Sequence, residues 1–304
     1  MLQGRPWALF QQALGRQATW MEETSWSWIG YVIRNRAASH LYVPYGPTVG
    51  GPTDLSPALA GLHQAARRLK VDFVRCEPIG VDRTAAERRG LLSVEIMQPA
   101  RTLMVDLSQT EDELRHGVTS STRNTINRAQ KIGIDLTITT DFEAIPEVIH
   151  LLKSAAAERH FRSHDAIYYD TLLRTLLPMG AAAIGLARHE GKIISAAVAL
   201  DDRDTRAYAH AGNEPEARKL RSSAPLVWRL MLDAKERGLT RFDLWGVAPP
   251  GAPATDAWSG FSEFKRYFGG EDIEYAGTWE LPVRNTRYKA IRLAKRGAVL
   301  LRRR

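Results

Sequence analysis

The sequence predicts a protein of the α+β class. Its 304 residues suit one large domain or two of ordinary size. Apolar residues make up 44% of the chain and charged residues 25%, which is the balance of a typical globular protein. Segments with the pattern of β-strands alternate with segments of helical spacing, without a repeat or a low-complexity stretch between them. Mixed helices and strands follow from that alternation.

Local signals define the elements of the first 180 residues. Pro57 lies in the first turn of a predicted helix, where its missing N–H costs least. Ser108 and Glu111 have the spacing of a capping box, and Gly133 supplies an end to the helix that they open. We predict strands at 31–35, 41–45, 71–78 and 134–139, and helices at 57–70, 108–131, 142–159 and 168–177.

The elements after residue 180 have a recognisable order. Residues 181–212 predict three antiparallel strands with turns at 189–191 and 201–204. Residues 225–238 predict a helix with apolar residues at helical spacing, and residues 241–247 predict a strand. Strands, a basic loop, a helix and a strand are the order of the acetyltransferase (GNAT) core, in which a helix N-terminus binds pyrophosphate.

The basic loop of this core differs from an ordinary coenzyme A loop. Such loops are rich in glycine, because the backbone must approach phosphate closely. Residues 216–223 contain no glycine and offer Arg218, Lys219 and Arg221 instead. The composition argues against ordinary coenzyme A binding and is compatible with a phosphate ligand held by side chains. The alternative is a helix start with solvent-facing basic residues.

The charge balance is basic, with a formal net charge of +8. Residues 284–304 hold nine Lys and Arg and no Asp or Glu. Such a segment suits nucleic acid, anionic lipid or a phosphorylated substrate, or is a solvated basic tail.

Several protein classes are disfavoured by what the chain contains. Cys76 is the only cysteine, so an internal disulfide is excluded. No apolar run reaches the length of a membrane span, and residues 1–10 lack the pattern of a signal peptide, so we predict a cytoplasmic protein. His160 and His164 have no Asp, Glu or Cys at ligand spacing, so no metal site is predicted.

A short aromatic segment, GFSEFKRYFGG at 260–270, encloses one lysine. Lys265 lies between Phe264 and Phe268, and two glycines follow. Either Lys265 is a surface lysine paired with Glu263 or Asp272, or it is a charge positioned in an active site.

This segment, taken with the strand before it, resembles the Fem family (FemABX type) of aminoacyl-tRNA-dependent peptidyltransferases, which build the interpeptide bridge of peptidoglycan. The strongest match is FDLWGV at 242–247, followed after a Pro/Gly loop by WSGF at 258–261 and FKRYFGG at 264–270. The chain is similar to the compact members that lack a coiled-coil arm. Weaker matches cover nearly the whole chain in order, at 3–7, 45–47, 123–126, 208–212 and 277–282.

The resemblance implies two tandem GNAT-like domains. The first would be residues 1–139, completed by 277–304, and the second would be 140–276 with the FK…FGG motif. The implied reaction transfers an amino acid from aminoacyl-tRNA to the stem-peptide amine of a peptidoglycan precursor, which is UDP-MurNAc-pentapeptide or a lipid-linked form. No cofactor or metal is implied, and the basic C-terminal segment would contact an anionic membrane peripherally.

The resemblance also assigns roles to residues around the motif. Lys265 would stabilise the oxyanion of the tetrahedral intermediate or bind the tRNA acceptor end. Phe264 would position Lys265 and contact the terminal adenosine. Apart from the resemblance, the place of Asp243 near the end of its strand makes it a candidate substrate-binding residue that would act as a general base or, equally, cap a loop.

A second group of residues would hold the substrate diphosphate. Within the basic loop we expect this role from Arg218 first and Arg221 second. Tyr208, on the preceding strand, is a binding neighbour or a core tyrosine.

One departure from the family pattern bears on the acceptor. Gln11 stands where the family has a lysine that helps to bind the diphosphate. Arg5 or Arg16 would compensate, or the acceptor would be lipid-linked.

Two other functions compete with aminoacyl transfer. An acyl-CoA-dependent N-acetyltransferase would use the same fold, although the glycine-free loop counts against it. A non-catalytic RNA-binding protein would suit the basic charge, although the sequence has no RRM, KH or zinc signature.

Overall fold

The computed structural model describes residues 2–158, 163–253 and 259–302. The chain divides into two compact units. The terminal unit comprises Leu2–Ala100 and Tyr275–Arg304, and the central unit comprises Arg101–Glu274. His160 and Trp258, which belong to segments discussed above, lie outside the described residues.

Each unit contains one mixed sheet with helices. The terminal unit contains α1 (Arg5–Ala13), β1 (Ala18–Glu22), β2 (Trp26–Arg34), β3 (Ser39–Val43), β4 (Thr48–Val49), α2 (Leu55–Arg68), β5 (Phe73–Cys76), α3 (Arg83–Arg88), β6 (Leu92–Ser93), β14 (Trp279–Pro282) and α11 (Asn285–Arg302). The central unit contains β7 (Arg101–Asp106), α4 (Glu111–Gly117), α5 (Ser120–Ala129), β8 (Ile134–Thr139), α6 (Ile145–Glu158), α7 (Ala166–Leu176), β9 (Ala182–His189), β10 (Lys192–Asp202), β11 (Thr205–Asn213), α8 (Pro215–Leu220), α9 (Ser223–Glu236), β12 (Arg241–Gly246), α10 (Ser259–Arg266) and β13 (Glu271–Glu274).

The sheet of the terminal unit joins the two ends of the chain. Its strand order is β1-β2-β3-β5-β14-β6, and β4 pairs with β2. β14, from the C-terminal segment, pairs antiparallel with both β5 and β6. Trp28 and Trp279 are almost fully buried in the core that this sheet forms with α2. The C-terminal segment therefore contributes a strand to this unit.

The sheet of the central unit has the strand order β13-β7-β12-β11-β10-β9-β8. β9, β10 and β11 form the antiparallel meander that the sequence predicts. β12 returns parallel to β11, but their register covers only Thr205–Ala207 against Arg241–Asp243. β11 continues to Asn213 and β12 to Gly246. The two strands therefore diverge at their carboxyl ends, which is a favoured place for a ligand in a sheet with parallel strands.

The boundaries of the units differ from the predicted division at 139/140 and 276/277. They fall at 100/101 and 274/275. β7 pairs with β12 and β13, and β8 pairs with β9, so both strands belong to the central sheet. The strand pattern at 134–139 shows that this segment is extended, but not which sheet it joins.

The helix predicted at 108–131 begins later and is broken. Thr110 is the N-cap of α4, and it forms the capping box with Glu113 instead of the predicted Ser108 and Glu111. The Ser108 hydroxyl donates to Asp106 at 2.7 Å. α4 and α5 replace the single helix, and a left-handed Gly133 follows the last turn, as predicted.

No helix in the described ranges has the length and the apolar composition that crossing a bilayer requires.

Candidate active site

Helix α10 is fastened to the segment that leaves β12. The Ser262 hydroxyl accepts from the backbone N–H of Ala248 at 2.7 Å. Arg266 donates to the carbonyl of the same Ala248 at 2.8 Å, and the Lys265 ammonium donates to the carbonyl of Gly246 at 2.6 Å. Positions 262, 265 and 266 share one face of a helix, so α10 presents its polar face to the end of β12.

Lys265 is buried, with 7% of its surface exposed. The alternative of a surface lysine paired with Glu263 or Asp272 is therefore wrong. Burial lowers the pKa of Lys265 to about 8, against the opposing effect of the Asp243 charge. A cation with so low a pKa is still mostly protonated at neutral pH but titrates within a physiologically accessible range.

Asp243 is buried beside this lysine, with 3% of its surface exposed. Its carboxylate accepts from the backbone N–H of Trp245 at 2.7 Å and from the Thr102 hydroxyl. Burial raises the pKa of Asp243, while these two hydrogen bonds and the Lys265 charge oppose the shift. Trp245 has a left-handed φ of 63°, so the chain turns directly after the strand. The contacts of Asp243 are those of a residue that caps the strand end, and a general-base role stays a prediction.

Phe264 has a packing role on the opposite side of α10. It is partly buried against the core of the central unit. Its ring meets the ring of Phe268 at 5.5 Å between centroids, with an interplanar angle of 75°. Phe264 therefore anchors the helix that carries Lys265, whereas a contact with adenosine stays a prediction.

The two glycines after α10 allow the backbone to approach its neighbours closely. Gly269 has a φ of +72° and Gly270 a φ of +96°. A Cβ on Gly269 would lie 2.9 Å from the Gly117 carbonyl oxygen, and one on Gly270 would lie 2.9 Å from the Met104 carbonyl oxygen. Only glycine combines these torsions with that proximity, so the FGG sequence fixes the turn from α10 into β13.

Tyr208 lies on β11, directly after the last residue that pairs with β12. It is partly buried and packs against the core of the central unit. This packing agrees with the core-tyrosine interpretation. Ligand binding by Tyr208 stays a prediction.

An aromatic cluster continues along β11 and onto α7. The His210 ring lies 5.1 Å from the Tyr169 ring between centroids, and the His164 ring stacks on Tyr168 at 3.6 Å. Burial lowers the pKa of His210 to about 3, so this imidazole is neutral. Among the residues that the structure covers, no group of three or more His, Cys, Asp or Glu side chains is arranged to hold a metal ion.

The two arginines proposed as ligands in the basic loop after β11 differ in their surroundings. Arg218 forms an ion pair with Glu158, and both side chains are about half exposed. Arg221 is exposed and ends α8 with a left-handed φ of 54°. A hydrogen bond to Glu263 raises the pKa of Tyr267, and the charge of Arg221 opposes this shift. Arg221 therefore lies near the end of α10, whereas Arg218 is directed towards α6.

The N-terminus of α9 is poorly suited to bind pyrophosphate. Ser222 is fully buried, and its hydroxyl lies 2.6 Å from that of Ser195. Pro225, the third residue of the helix, has no N–H. The helix N-terminus thus has one amide donor fewer for a phosphate than usual.

Sequence reasoning missed two residues that shape the surroundings of Lys265. Ser262 has a local signal, because it precedes Lys265 by three residues and so shares its helix face. Thr102 has no local signal, because its contact with Asp243 depends on the register of β7 against β12.

The order of the central sheet, the divergence of β11 from β12 and the helix between these strands define a GNAT-type unit. Residues 118–266 match the family model described as "Acetyltransferase (GNAT) domain". No curated protein sequence matches the chain.

Solved structures identify the architecture of the whole chain. The crystal structure of FemX matches with a TM-score of 0.84 and 16% identity, covering 96% of this chain and 94% of that chain. L-PGS from Bacillus licheniformis matches with a TM-score of 0.57 and 14% identity, covering 96% and 93%. A tandem GNAT protein from the clavulanic acid biosynthesis pathway matches with a TM-score of 0.50 and 13% identity, covering 85% and 79%. The chain therefore has the FemX fold with tandem GNAT-like units, and the predicted α+β fold is confirmed.

Proposed function

We propose that this chain is an aminoacyltransferase of the Fem type, which transfers an amino acid from aminoacyl-tRNA to the stem-peptide amine of a peptidoglycan precursor. The observation that carries the proposal is the buried Lys265 ammonium at the end of β12, on a chain with the FemX fold. Its donation to the Gly246 carbonyl holds it in one position.

The proposed chemistry needs a cation in that position. The amine attacks the ester carbonyl of aminoacyl-tRNA, and the resulting tetrahedral intermediate carries an oxyanion. The C–N bond forms, the ester C–O bond breaks, and the tRNA hydroxyl leaves with a proton. Lys265 stabilises the oxyanion, and its charge acts strongly because burial reduces solvent screening. Asp243, with its raised pKa, is the candidate to receive the proton of the amine.

Arg218 and Arg221 are the proposed ligands for the phosphates of the substrate. Arg221 is exposed and lies near the end of α10. Arg218 must leave Glu158 to bind a phosphate, and the loss of such an exposed pair costs about 0–1 kcal/mol. Tyr208, on β11, is the proposed neighbour of this group.

Gln11, which stands where the family has a lysine, lies beside another cation in the terminal unit. Gln11 is buried, with 1% of its surface exposed, and accepts a hydrogen bond from Arg16 at 2.6 Å. The Arg16 guanidinium also lies 5.1 Å from the centre of the Tyr31 ring. We therefore propose Arg16, rather than the helix-start residue Arg5, as the cation that replaces the family lysine. Both the UDP-linked and the lipid-linked precursor remain candidate acceptors.

A second candidate is an acyl-CoA-dependent N-acetyltransferase. The match of residues 118–266 to the acetyltransferase family model favours it. The absence of glycine from 216–223 and the Pro225 ring at the start of α9 count against it.

A donor comparison separates these two functions. The purified protein is given labelled aminoacyl-tRNA or labelled acetyl-CoA, with the UDP-linked and lipid-linked precursors both present. We expect label to reach a precursor from tRNA, and acetyl-CoA to show no binding by calorimetry. Transfer from acetyl-CoA alone would contradict aminoacyl transfer.

The transfer rate is expected to fall as pH rises through about 8, because Lys265 loses its proton there instead of near its ordinary value of 10.5. Lys265→Arg keeps the charge, so this variant should lack the decline. Single-turnover rates across the alkaline range, corrected for spontaneous ester hydrolysis, measure the effect. The same decline in Lys265→Arg would assign it to another group.

A further inference from the structure

A groove in the terminal unit lies between β6 and the C-terminal helix α11. Its volume is about 590 Å³. Leu91 and Trp279 line it and are nearly fully buried, with 5% and 1% of their surfaces exposed. This groove, named the α11 groove, therefore has an apolar part in its lining.

Two exposed leucines border the α11 groove. Leu92 on β6 is 42% exposed and Leu293 on α11 is 67% exposed, and both line it. A single exposed leucine is common on soluble proteins. Two exposed leucines beside one groove extend its apolar surface, and contiguous exposed apolar surface is a feature of binding sites.

The same groove carries cations on its α11 side. Lys289 and Arg292 line it together with Leu293, as their i, i+3 and i+4 spacing requires. The adjoining side of α11 is fixed, because Ile291 and Tyr288, which also lines the groove, are buried in a core cluster. This part of α11 therefore presents two cations and a leucine outward.

The charged residues in and around the α11 groove give it a net positive charge. Glu87, which also lines it, pairs with Arg83 at 3.3 Å. Arg292 lies 3.8 Å from Glu280, a buried carboxylate that Arg75 also contacts. Residues 284–304 contain nine Lys and Arg, with Lys289 and Arg292 among them, and no acid, so an anionic partner is favoured.

We propose that the α11 groove docks this protein on an anionic membrane lipid. An acyl chain occupies the apolar groove beside Leu92 and Leu293, and the lipid phosphate lies at Lys289 and Arg292. A nucleic acid would use the cations but not the exposed leucines, and an apolar peptide would use the leucines but not the cations. A lipid uses both, and anionic membranes attract each nearby Lys or Arg by about 1 kcal/mol.

Vesicle sedimentation of the full chain tests the proposal. Vesicles contain phosphatidylcholine alone or phosphatidylcholine with an equal part of phosphatidylglycerol. We expect binding to the anionic vesicles only, weakened by salt. Lys289→Gln with Arg292→Gln should weaken binding by about 30-fold, which corresponds to two cations at a membrane surface. Leu92→Ser with Leu293→Ser should weaken it by about tenfold or more through lost apolar contact.

Two matched controls separate the groove from general effects of charge and hydrophobicity. Arg36→Gln with Arg67→Gln removes two exposed cations from the same unit, and Ile167→Ser removes a side chain that is 74% exposed in the central unit. Both should bind like the wild type, with thermal unfolding confirming that every variant is folded. Equal binding to neutral vesicles, or unchanged binding of the leucine variant, would overturn the proposal. Transfer RNA is also tested as a competitor of the vesicles. If the cation variant loses this competition and the leucine variant keeps it, the surface binds nucleic acid instead.

Discussion

Lys265→Met is expected to lower the rate of amino-acid transfer by about 100- to 1000-fold, the usual loss when one oxyanion donor is removed. Methionine keeps most of the apolar part of the Lys265 side chain but lacks the ammonium that donates to the Gly246 carbonyl. The rate is measured in single turnovers at saturating charged tRNA. Binding of tRNA is measured separately by filter retention.

Lys235→Met is the matched control for this variant. Lys235 also donates to main-chain carbonyls of the central unit, at 2.9 Å to Leu107 and 2.6 Å to Gln109. We expect its transfer rate to stay within about threefold of the wild type, since no oxyanion donor is lost. An equally small loss in Lys265→Met would mean that this lysine is not an oxyanion donor. Retained tRNA binding with lost transfer in Lys265→Met would exclude a purely RNA-binding function.

Arg206→Met is expected to lower the free energy of unfolding of the central unit by about 3–5 kcal/mol. Arg206 is fully buried, and it donates to both carboxylate oxygens of Asp201 at 2.7 Å and to Asp233 at 2.5 Å. Its removal leaves two largely buried carboxylates without their shared guanidinium. Arg237 remains 3.6 Å from Asp201 and 3.3 Å from Asp233, so the cost comes from lost hydrogen bonds and from buried charge that is only partly compensated, and we expect the lower end of this range.

Arg241→Met controls for the general loss of an arginine. Arg241 pairs with Asp204 at 2.9 Å, but both side chains are about half exposed. Such pairs contribute about 0–1 kcal/mol. Urea unfolding followed by tryptophan fluorescence compares the two variants. Equal midpoints would contradict the account of the Arg206 pairs.

Local sequence patterns were sufficient for much of the central unit. The strand predicted at 134–139 is β8, and the helix predicted at 225–238 is α9, shifted by two residues. The meander at 181–212 also forms as predicted. These elements depend on turn residues and on the spacing of apolar side chains, which act over short stretches of sequence.

Strand pairing between distant parts of the chain determines features that local sequence patterns did not predict. The boundaries of the units depend on β7 joining β12, a pairing across more than a hundred residues. At the start of α4, both Ser108 and Thr110 precede a glutamate by three residues, so the pattern fits two caps. Asp106 accepts the Ser108 hydroxyl, and Thr110 forms the capping box with its glutamate.

The sequence names candidate residues for the site but does not predict their environment. The sequence offers Asp243 and Lys265 as candidates on either side of a Pro/Gly loop, and in the structure their charges interact. Burial of the lysine could not be predicted, because it depends on the fit of α10 against the end of β12. The contact of Thr102 with Asp243 likewise depends on sheet register.

The most direct test of aminoacyl transfer is mass spectrometry of the acceptors after incubation with a mixture of charged tRNAs. UDP-linked and lipid-linked muramyl pentapeptides are analysed separately with the wild type and with Lys265→Met. We expect one precursor to gain the mass of an amino-acid residue with the wild type, and the variant to yield almost none. No mass gain on either precursor, with folded protein and intact charged tRNA, would contradict the proposed function.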